Sequence, residues 1–595
     1  MKKTLLRFLA FMLVLITALS FIACDGDPTP GPGPGPDPGP DPTPDPGPTD
    51  TLPENVSGTL DIYISLNEDE AAAYQMVADE YTYLQKEKGN TVKVNINNNS
   101  TADSYQKEVE ALISMGVSNA TIAKTGVAPS YYGTDSIVDL SSYLSLKNPY
   151  ADNQVWKDVL EPEAYAPKFA RGKSTVPSIS YDTNYLVVFY DTRALADLGL
   201  QVPTTWDEMI ACLEAASKDS DFRNPLGLGV DSGSATRTFL AWVVQMYMDQ
   251  YFRDFIDVAH SQKGDYSYSS RIDGSYEYDL SDLLLGDSSN YTYNLNRMID
   301  AYFNDTDEWG PLSPRFQDMM ANLQELLPYI DTKASYGDLF NRFNETASSY
   351  NADGSDNGLY HDRKIFYIQR LDYILTYKTA FETKGTKLSV KDIGDRLGWF
   401  ALPPMTDHGD DGVGAPAADT VRSLGGVESE LGVINSGNQA HTDLAVDFLA
   451  YFYSPQGMNV RLQALALTGT PLVMEQLVKG VTIPENIDLV TNALKFTGNC
   501  NLNPYLQFGY GYTNANIKVG DTNNTVINTI ANNFADFFKS SSNNWADYGK
   551  KMLDAITDGF KNYATDQKLI YDTYENVKEA TEEYKNCLLY TSDAA

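Results

Sequence analysis

Residues 58–96, GTLDIYISLNEDEAAAYQMVADEYTYLQKEKGNTVKVNI, restrict the fold more than any other stretch of the chain. Leu60, Ile62 and Ile64 alternate with polar neighbours, as a half-buried strand requires. Asn67 followed three residues later by Glu70 has the form of a capping box opening a helix. Ala73, Val77, Tyr81 and Leu84 then recur at helical spacing on one face. Gly89-Asn90 ends the helix, and Val92, Val94 and Ile96 alternate again. A strand, helix and strand of these lengths demand a right-handed crossover and parallel pairing. Ligands of such sheets bind beyond the carboxyl ends of the strands, here Ser65 to Glu68.

The length of 595 residues is enough for more than one lobe and a large core. A net charge of -36 repels nucleic acid, which is bound by cations that displace counterions, so no nucleic-acid partner is expected. The four cysteines, Cys24, Cys212, Cys500 and Cys587, are too few for a disulfide framework. Cys212 falls on a predicted helix face and reads as a small buried hydrophobe rather than a bridge to Cys500.

Met1 to Arg7 is basic and Phe8 to Ala23 is apolar, a run shorter than the roughly 20 residues a membrane span needs. That is the form of an export signal over residues 1–23. Phe21-Ile22-Ala23-Cys24 resembles a bacterial lipobox, which implies cleavage before Cys24, lipidation of that cysteine and a membrane anchor facing the extracellular or periplasmic side. From Pro28 to Pro48 proline occupies every even position, favouring extended polyproline II. Residues 24–56 therefore read as a semi-rigid tether with a reach on the order of 80–90 Å.

The most informative block is residues 176–215, VPSISYDTNYLVVFYDTRALADLGLQVPTTWDEMIACLEA. It contains a strand over Tyr185–Tyr190, a short helix over Thr192–Asp197 ending at Leu198-Gly199, and a second helix with Thr205 as N-cap and Glu208 in the reciprocal position. Pro177, Phe189-Tyr190-Asp191, Leu198-Gly199-Leu200 and Pro203-Thr204-Thr205-Trp206-Asp207-Glu208 together resemble the crossover segment of the extracellular solute-binding proteins of ABC sugar importers, the maltose-binding-protein-like family 1. GWFALPPM (398–405) is similar to the family's strand returning to the first lobe, and residues 423–458 are similar to its Gly-Gly loop, strand and late helix.

The resemblance implies an α/β, two-lobed periplasmic-binding-protein-like fold of type II. Its lobes hold central mixed sheets, are joined by a hinge, and close on ligand in the cleft between them. The first lobe is expected over 57–185 plus 398–465 and the second over 186–397 plus 466–586. Residues 246–345 are longer and richer in Tyr and Asp than the family's second lobe requires, and they read as an insertion. The nine-residue tail CLLYTSDAA (587–595) matches the translation of a transposase sequencing adaptor and is read as non-native.

Sugar recognition needs flat apolar faces for the pyranose ring and carboxylates, amides and Arg for its hydroxyls. By position in the family's contact loops, the resemblance points to Asn67, Glu68, Lys124, Thr125, Tyr181, Asp182, Ser234, Thr236 and Arg237. It points equally to Gln369, Arg370, Asp372 and Tyr373, with Tyr373 as the stacking ring, to Gly425 and Gly426 for close backbone approach, and to Tyr505, Tyr510 and Tyr512 for the far wall.

Other chemistry finds no support. DGSDNG (353–358) begins like a calcium loop, but its twelfth position is Lys364 where a bidentate Glu is needed. The four histidines are dispersed, and neither HExxH, CxxC nor a phosphate loop occurs. No catalytic residue, metal or cofactor is expected. The leading reading is a monomeric, lipid-anchored receptor that delivers a carbohydrate, an oligosaccharide by preference, to an ABC permease. A receptor for a peptide or polyamine is the alternative, and a surface glycan hydrolase stands behind it.

Overall fold

The structure, a computed structural model, describes residues 50–98, 102–170, 173–228, 239–265, 267–287, 291–294, 297–298, 300–301, 306–331, 343, 362–383, 385–406, 414–489, 498–509, 526–540 and 544–566. The signal segment, Cys24, the tether to residue 49, Ser234, Thr236, Arg237, residues 353–358, Tyr510, Tyr512 and the 587–595 tail lie outside the described residues.

The opening unit forms as its periodicity dictates. Strand β1 (Gly58–Ile64), helix α1 (Glu68–Glu87) and strand β2 (Val92–Asn98) make a parallel crossover with Leu60 opposite Val94. Asn67 caps α1: its Oδ1 accepts from the Glu70 N–H at 2.9 Å, and its Nδ2 donates to Glu70 Oε2 at 3.2 Å. Ala73, Tyr74, Val77, Ala78 and Tyr81 form the buried face. Strand β3 (Ala120–Ala123) lies parallel on the other side of β1. A hairpin, β4 (Lys168–Ala170) with β5 (Lys173–Thr175), precedes the two-residue strand β6 (Ile179–Ser180).

Strand β7 (Thr183–Asp191) then carries the chain into a second sheet. Asp191 caps α2 (Thr192–Leu198), accepting from the N–H groups of Arg193 and Ala194, and Gly199 closes it at φ 66°, a left-handed turn that suits glycine. Thr205 caps α3 (Trp206–Ser217). The Glu208 carboxylate accepts from the N–H and hydroxyl of Thr204. Strand β8 (Leu226–Gly227), helix α4 (Phe239–Tyr251), strand β9 (Phe366–Arg370), helix α5 (Tyr373–Thr383) and strand β10 (Leu397–Phe400) follow. Strands β11 (Gly425–Val427) and β12 (Glu430–Ile434) lead to helices α6 (Gln439–Phe452) and α7 (Pro455–Thr468).

Two mixed sheets result, ordered β2-β1-β3-β12-β6 and β10-β7-β9-β8, with β11 also pairing β7. Each has its own hydrophobic core. Leu60, Ile62, Val77, Ile122, Phe448 and Leu462 lie in the first, and Val188, Trp206, Met209, Tyr247, Phe366 and Phe534 in the second. The fold is α/β and two-lobed.

Core membership departs from the expected lobe boundaries in two places. Strand β10 does not return to the first lobe: it pairs antiparallel with β7, Leu397 opposite Asp191, and this keeps Leu402, Met405 and Val421 in the second core. Residues past 466 turn back before leaving: Leu472, Leu477, Val478 and Ile487 pack in the first core, where the Lys479 N–H donates to Val159 O. Cys212 and Cys500 are both buried and free. Among the described residues no helix is long and apolar enough to cross a membrane.

Candidate functional site

Three segments cross between the sheets side by side, and their backbones are bonded to one another. In the first, Tyr181 and Asp182 join β6 to β7; in the second, Glu428 and Ser429 join β11 to β12. The third is residues 474–478. The Glu428 N–H donates to Asp182 O at 3.2 Å, the Thr183 N–H to Glu475 O at 3.2 Å, and the Leu477 N–H to Tyr181 O at 2.8 Å.

Asp182 sits at the middle of this junction, fully buried. Its carboxylate accepts from the Ser429 N–H and hydroxyl, both at 3.0 Å. Burial outweighs those bonds and the nearby Arg461, pushing its pKa up to about 6. Arg461, buried on α7, lies over the Tyr181 ring at 4.2 Å and 3.8 Å from Glu70 at the start of α1. Burial opposes its charge, yet Tyr181, Glu70 and Asp182 hold its pKa above the ordinary value.

On the half-exposed side of the junction four charged groups meet. Lys124, following β3, reaches to 3.7 Å from Glu428 Oε1 in the second crossover. Arg370, ending β9 in the other lobe, donates from Nη2 to Glu428 Oε2 at 2.6 Å, and its Nε lies 3.9 Å from Asp372. Glu428 thus accepts a cation from each lobe. The Asp372 N–H donates to Asn184 Oδ1 at 3.4 Å, and burial raises the Asp372 pKa against the pull of Arg370. Asn184 Nδ2, Arg370 Nε and Gln476 Oε1 are buried polar atoms without a hydrogen-bond partner among the described residues. Such atoms are rare in folded proteins. The carboxyl ends of β3 and β9 converge here, as ligand sites of open α/β sheets require.

The structure divides the predicted residues into three groups. Lys124, Arg370 and Asp372 meet around Glu428, and Gln369 precedes them on β9, its Oε1 accepting from the Arg370 N–H. Gly425 and Gly426, at φ 147° and 145°, pair with Tyr185 and Asn184 at the start of β7. A Cβ at Gly425 would strike the Asn184 carbonyl, so glycine is required there by the crossover itself. Asn67 and Glu68 are exposed at the start of α1, where Asn67 is engaged as a cap.

The second group is buried. Thr125 donates to Pro177 O, Tyr181 lies under Arg461, and Asp182 is enclosed by the three crossovers. Tyr373, expected as the stacking ring, is 3% exposed and packs on Phe189 and Tyr367. Tyr505 is fully buried, stacked on Phe252 at 4.3 Å. Neither ring is presented to the junction, because both complete apolar cores. The third group, Ser234, Thr236, Arg237, Tyr510 and Tyr512, lies outside the described residues.

Sequence reasoning missed Glu428 and Arg461. An acid directly after the Gly-Gly loop, and a lone Arg within the apolar stripe of Met458, Leu462 and Leu465, are the signals that point to them. A cavity of about 430 Å³ lies elsewhere in the first lobe, walled by Asp139, Tyr143, Asn435 and Gln439 at the far end of β12. It contains none of the predicted residues.

The fold has two lobes that meet at this junction. Residues 65–280 match the model of the bacterial extracellular solute-binding proteins. No curated protein matches the chain. Among solved structures, apo RafE of Streptococcus pneumoniae aligns at 12% identity over 86% of this chain and 97% of its own, with a TM-score of 0.48. The cyclic alpha-maltosyl-1,6-maltose binding protein of Arthrobacter globiformis aligns at 14% identity over 84% and 99%, TM-score 0.46. A family 1 extracellular solute-binding protein of Bifidobacterium longum subsp. infantis aligns at 12% over 86% and 100%, TM-score 0.44. At that distance no ligand is carried across to this chain.

Proposed function

We propose that the chain is the receptor of an ABC importer and captures a neutral carbohydrate, an oligosaccharide by preference, between its two lobes for delivery to the permease. In this reading Cys24 carries the lipid, residues 24–56 hold the receptor away from the membrane on its outer side, and the protein works as a monomer. Lys124, Gln369, Arg370, Asp372, Gly425 and Gly426, with Asn67 and Glu68 at the rim and Glu428 added, are the proposed contacts.

One observation carries the choice of ligand class: the half-exposed side of the junction is charge-balanced. Lys124 and Arg370 face Glu428 and Asp372, two cations against two carboxylates. A polyamine needs carboxylates free of internal cations, and Glu428 already has two partners. A hydroxylated neutral ligand can instead exchange into such pairs as both donor and acceptor without leaving a charge unmatched. No paired carboxylates at glycosidase spacing are needed for this role, and recognition is the whole activity.

The test is a thermal-shift screen of the protein against neutral oligosaccharides, spermidine and short peptides. A ligand at a hundred times its Kd stabilises the folded state by about 2.7 kcal/mol, enough to move Tm visibly. A rise with at least one oligosaccharide and none with spermidine or peptide is expected. A flat response to every sugar with a shift for spermidine or peptide overturns the assignment.

A further inference from the structure

Arg461 is a cation placed where α7 otherwise presents apolar residues to the first core. Met458, Leu462 and Leu465 are buried beside it, and Arg461 itself is 1% exposed. A buried ion pair is often no more stable than apolar side chains of the same volume, and its best-attested use is to fix how elements sit against one another. The contacts of Arg461 have that form. Its guanidinium carbon lies 4.2 Å from the centre of the Tyr181 ring in the first crossover, and its Nη2 lies 3.8 Å from Glu70 Oε1 in the first turn of α1. Tyr74, one turn further along α1, donates its hydroxyl to Tyr181 Oη at 3.3 Å. Glu70, Arg461, Tyr181 and Tyr74 thus join α1, α7 and the crossover in one closed circuit.

The first turn of α1 also carries Asn67 and Glu68, both exposed. The Glu70 carboxylate stands between this rim and the core: Oε2 accepts from Asn67 Nδ2 at 3.2 Å, and Oε1 faces Arg461. Asp69 is tied to the chain just past α7, accepting from the Thr470 hydroxyl at 2.7 Å. At the other end of the circuit, Tyr181 O accepts from the Leu477 N–H, and the next residue, Asp182, is bonded to Ser429. A displacement of Tyr181 is therefore felt by all three crossovers. A flat guanidinium over a ring fixes orientation as well as distance, which an ammonium does not.

We propose that Arg461 is a positioning residue that couples the rim of the interlobe site to its hinge: through Glu70 it holds the first turn of α1, and through Tyr181 the entry to the first crossover. That Asn67 and Glu68 meet ligand rests on the proposed function, whereas the coupling rests on the contacts above. A ligand seated on the rim draws through this circuit on the crossovers.

A cycle of variants in the full chain tests this, read by hydrogen exchange in peptides spanning 66–72 and 179–185. Asn67→Ala should speed exchange in 66–72 about fivefold, the scale of one lost helix cap, and with Arg461 in place exchange in 179–185 should rise several-fold with it. Arg461→Met with Glu70→Gln replaces the charged pair by neutral side chains of similar size. In that background Asn67→Ala should still speed 66–72 but leave 179–185 unchanged. A residue that only stabilised the first core would give additive effects in both peptides. An equal response of 179–185 to Asn67→Ala in the two backgrounds, or no response in either, overturns the coupling. Arg461→Lys, which keeps the charge without the flat face, serves in place of the neutral pair should that pair unfold the lobe. The response of 179–185 should then fall below that of the wild-type background, and an undiminished response overturns the coupling. No ligand enters this measurement, so a failed thermal-shift screen counts against the receptor reading alone.

Discussion

Asp182 is where the three crossovers meet, and its ionisation ties the junction to pH. Its pKa rises from an ordinary 3.8 to about 6 because burial penalises the charged form. Asp447, buried against Tyr81 and Tyr150, is also raised to about 6 by burial. A carboxyl raised in the folded state favours folding in its protonated form. Its contribution is therefore complete below about pH 3.8 and is lost as pH rises through 6. Asp182→Asn removes that dependence at one site. Its Tm relative to the wild type should be more favourable at pH 8 than at pH 5, as read by differential scanning calorimetry. An offset equal at the two pH values would show that Asp182 does not titrate in this window. Local roles at this scale were legible in the sequence. Asn67 and Thr205 cap the helices they were predicted to cap, because a cap depends on residues two or three positions away. Tyr373 and Tyr505 were misplaced, because a ring at a strand or helix end looks the same in sequence whether it meets solvent or a core.

At the scale of elements, α4 is tied to the rest of the second lobe by a buried ion cluster. Asp249 receives Arg422 through two bonds, 3.0 Å from Nε and 2.6 Å from Nη2, and Arg253 Nη2 at 2.9 Å. The same arginines reach out to the insertion and to the chain before β11: Arg422 Nη1 donates to Leu285 O and Arg253 Nη2 to Thr420 O. Burial works against Asp249, but the two arginines hold its pKa below the ordinary value. Asp249→Ala would strand two buried cations, and removing one partner of a buried pair costs roughly 3–5 kcal/mol. Urea denaturation should show that loss, and limited proteolysis should cut first within 262–294. Wild-type stability in the variant would mean that the arginines find other partners. The opening strand, helix and strand were readable because each rests on period within a dozen residues. Strands β6, β8 and β11, of two or three residues, carry no period at all, and β10 was assigned to the wrong sheet because antiparallel pairing with β7 is decided by contacts some two hundred residues apart.

For the whole molecule, the question is what sets the distance between the lobes. Glu428 lies in a crossover and binds Lys124 from one lobe and Arg370 from the other. These groups are half-exposed, so each pair by itself contributes little to stability, about 0–1 kcal/mol. Their leverage is geometric: a hinge of three strands resists bending weakly, and a shared carboxylate that draws a cation from each side biases it toward closure. Removing the carboxylate leaves Lys124 and Arg370 with Asp372 as the remaining acid of the group, so the attraction that draws the two cations together is lost. Glu428→Ala should therefore leave both cores intact, with near-wild-type Tm, while the radius of gyration in small-angle scattering increases. High salt should shrink the difference, because screening weakens the attraction in the wild type. An unchanged radius of gyration at low salt would mean that backbone bonds such as Glu428 N–H to Asp182 O, and not the ion pairs, hold the lobes at their spacing.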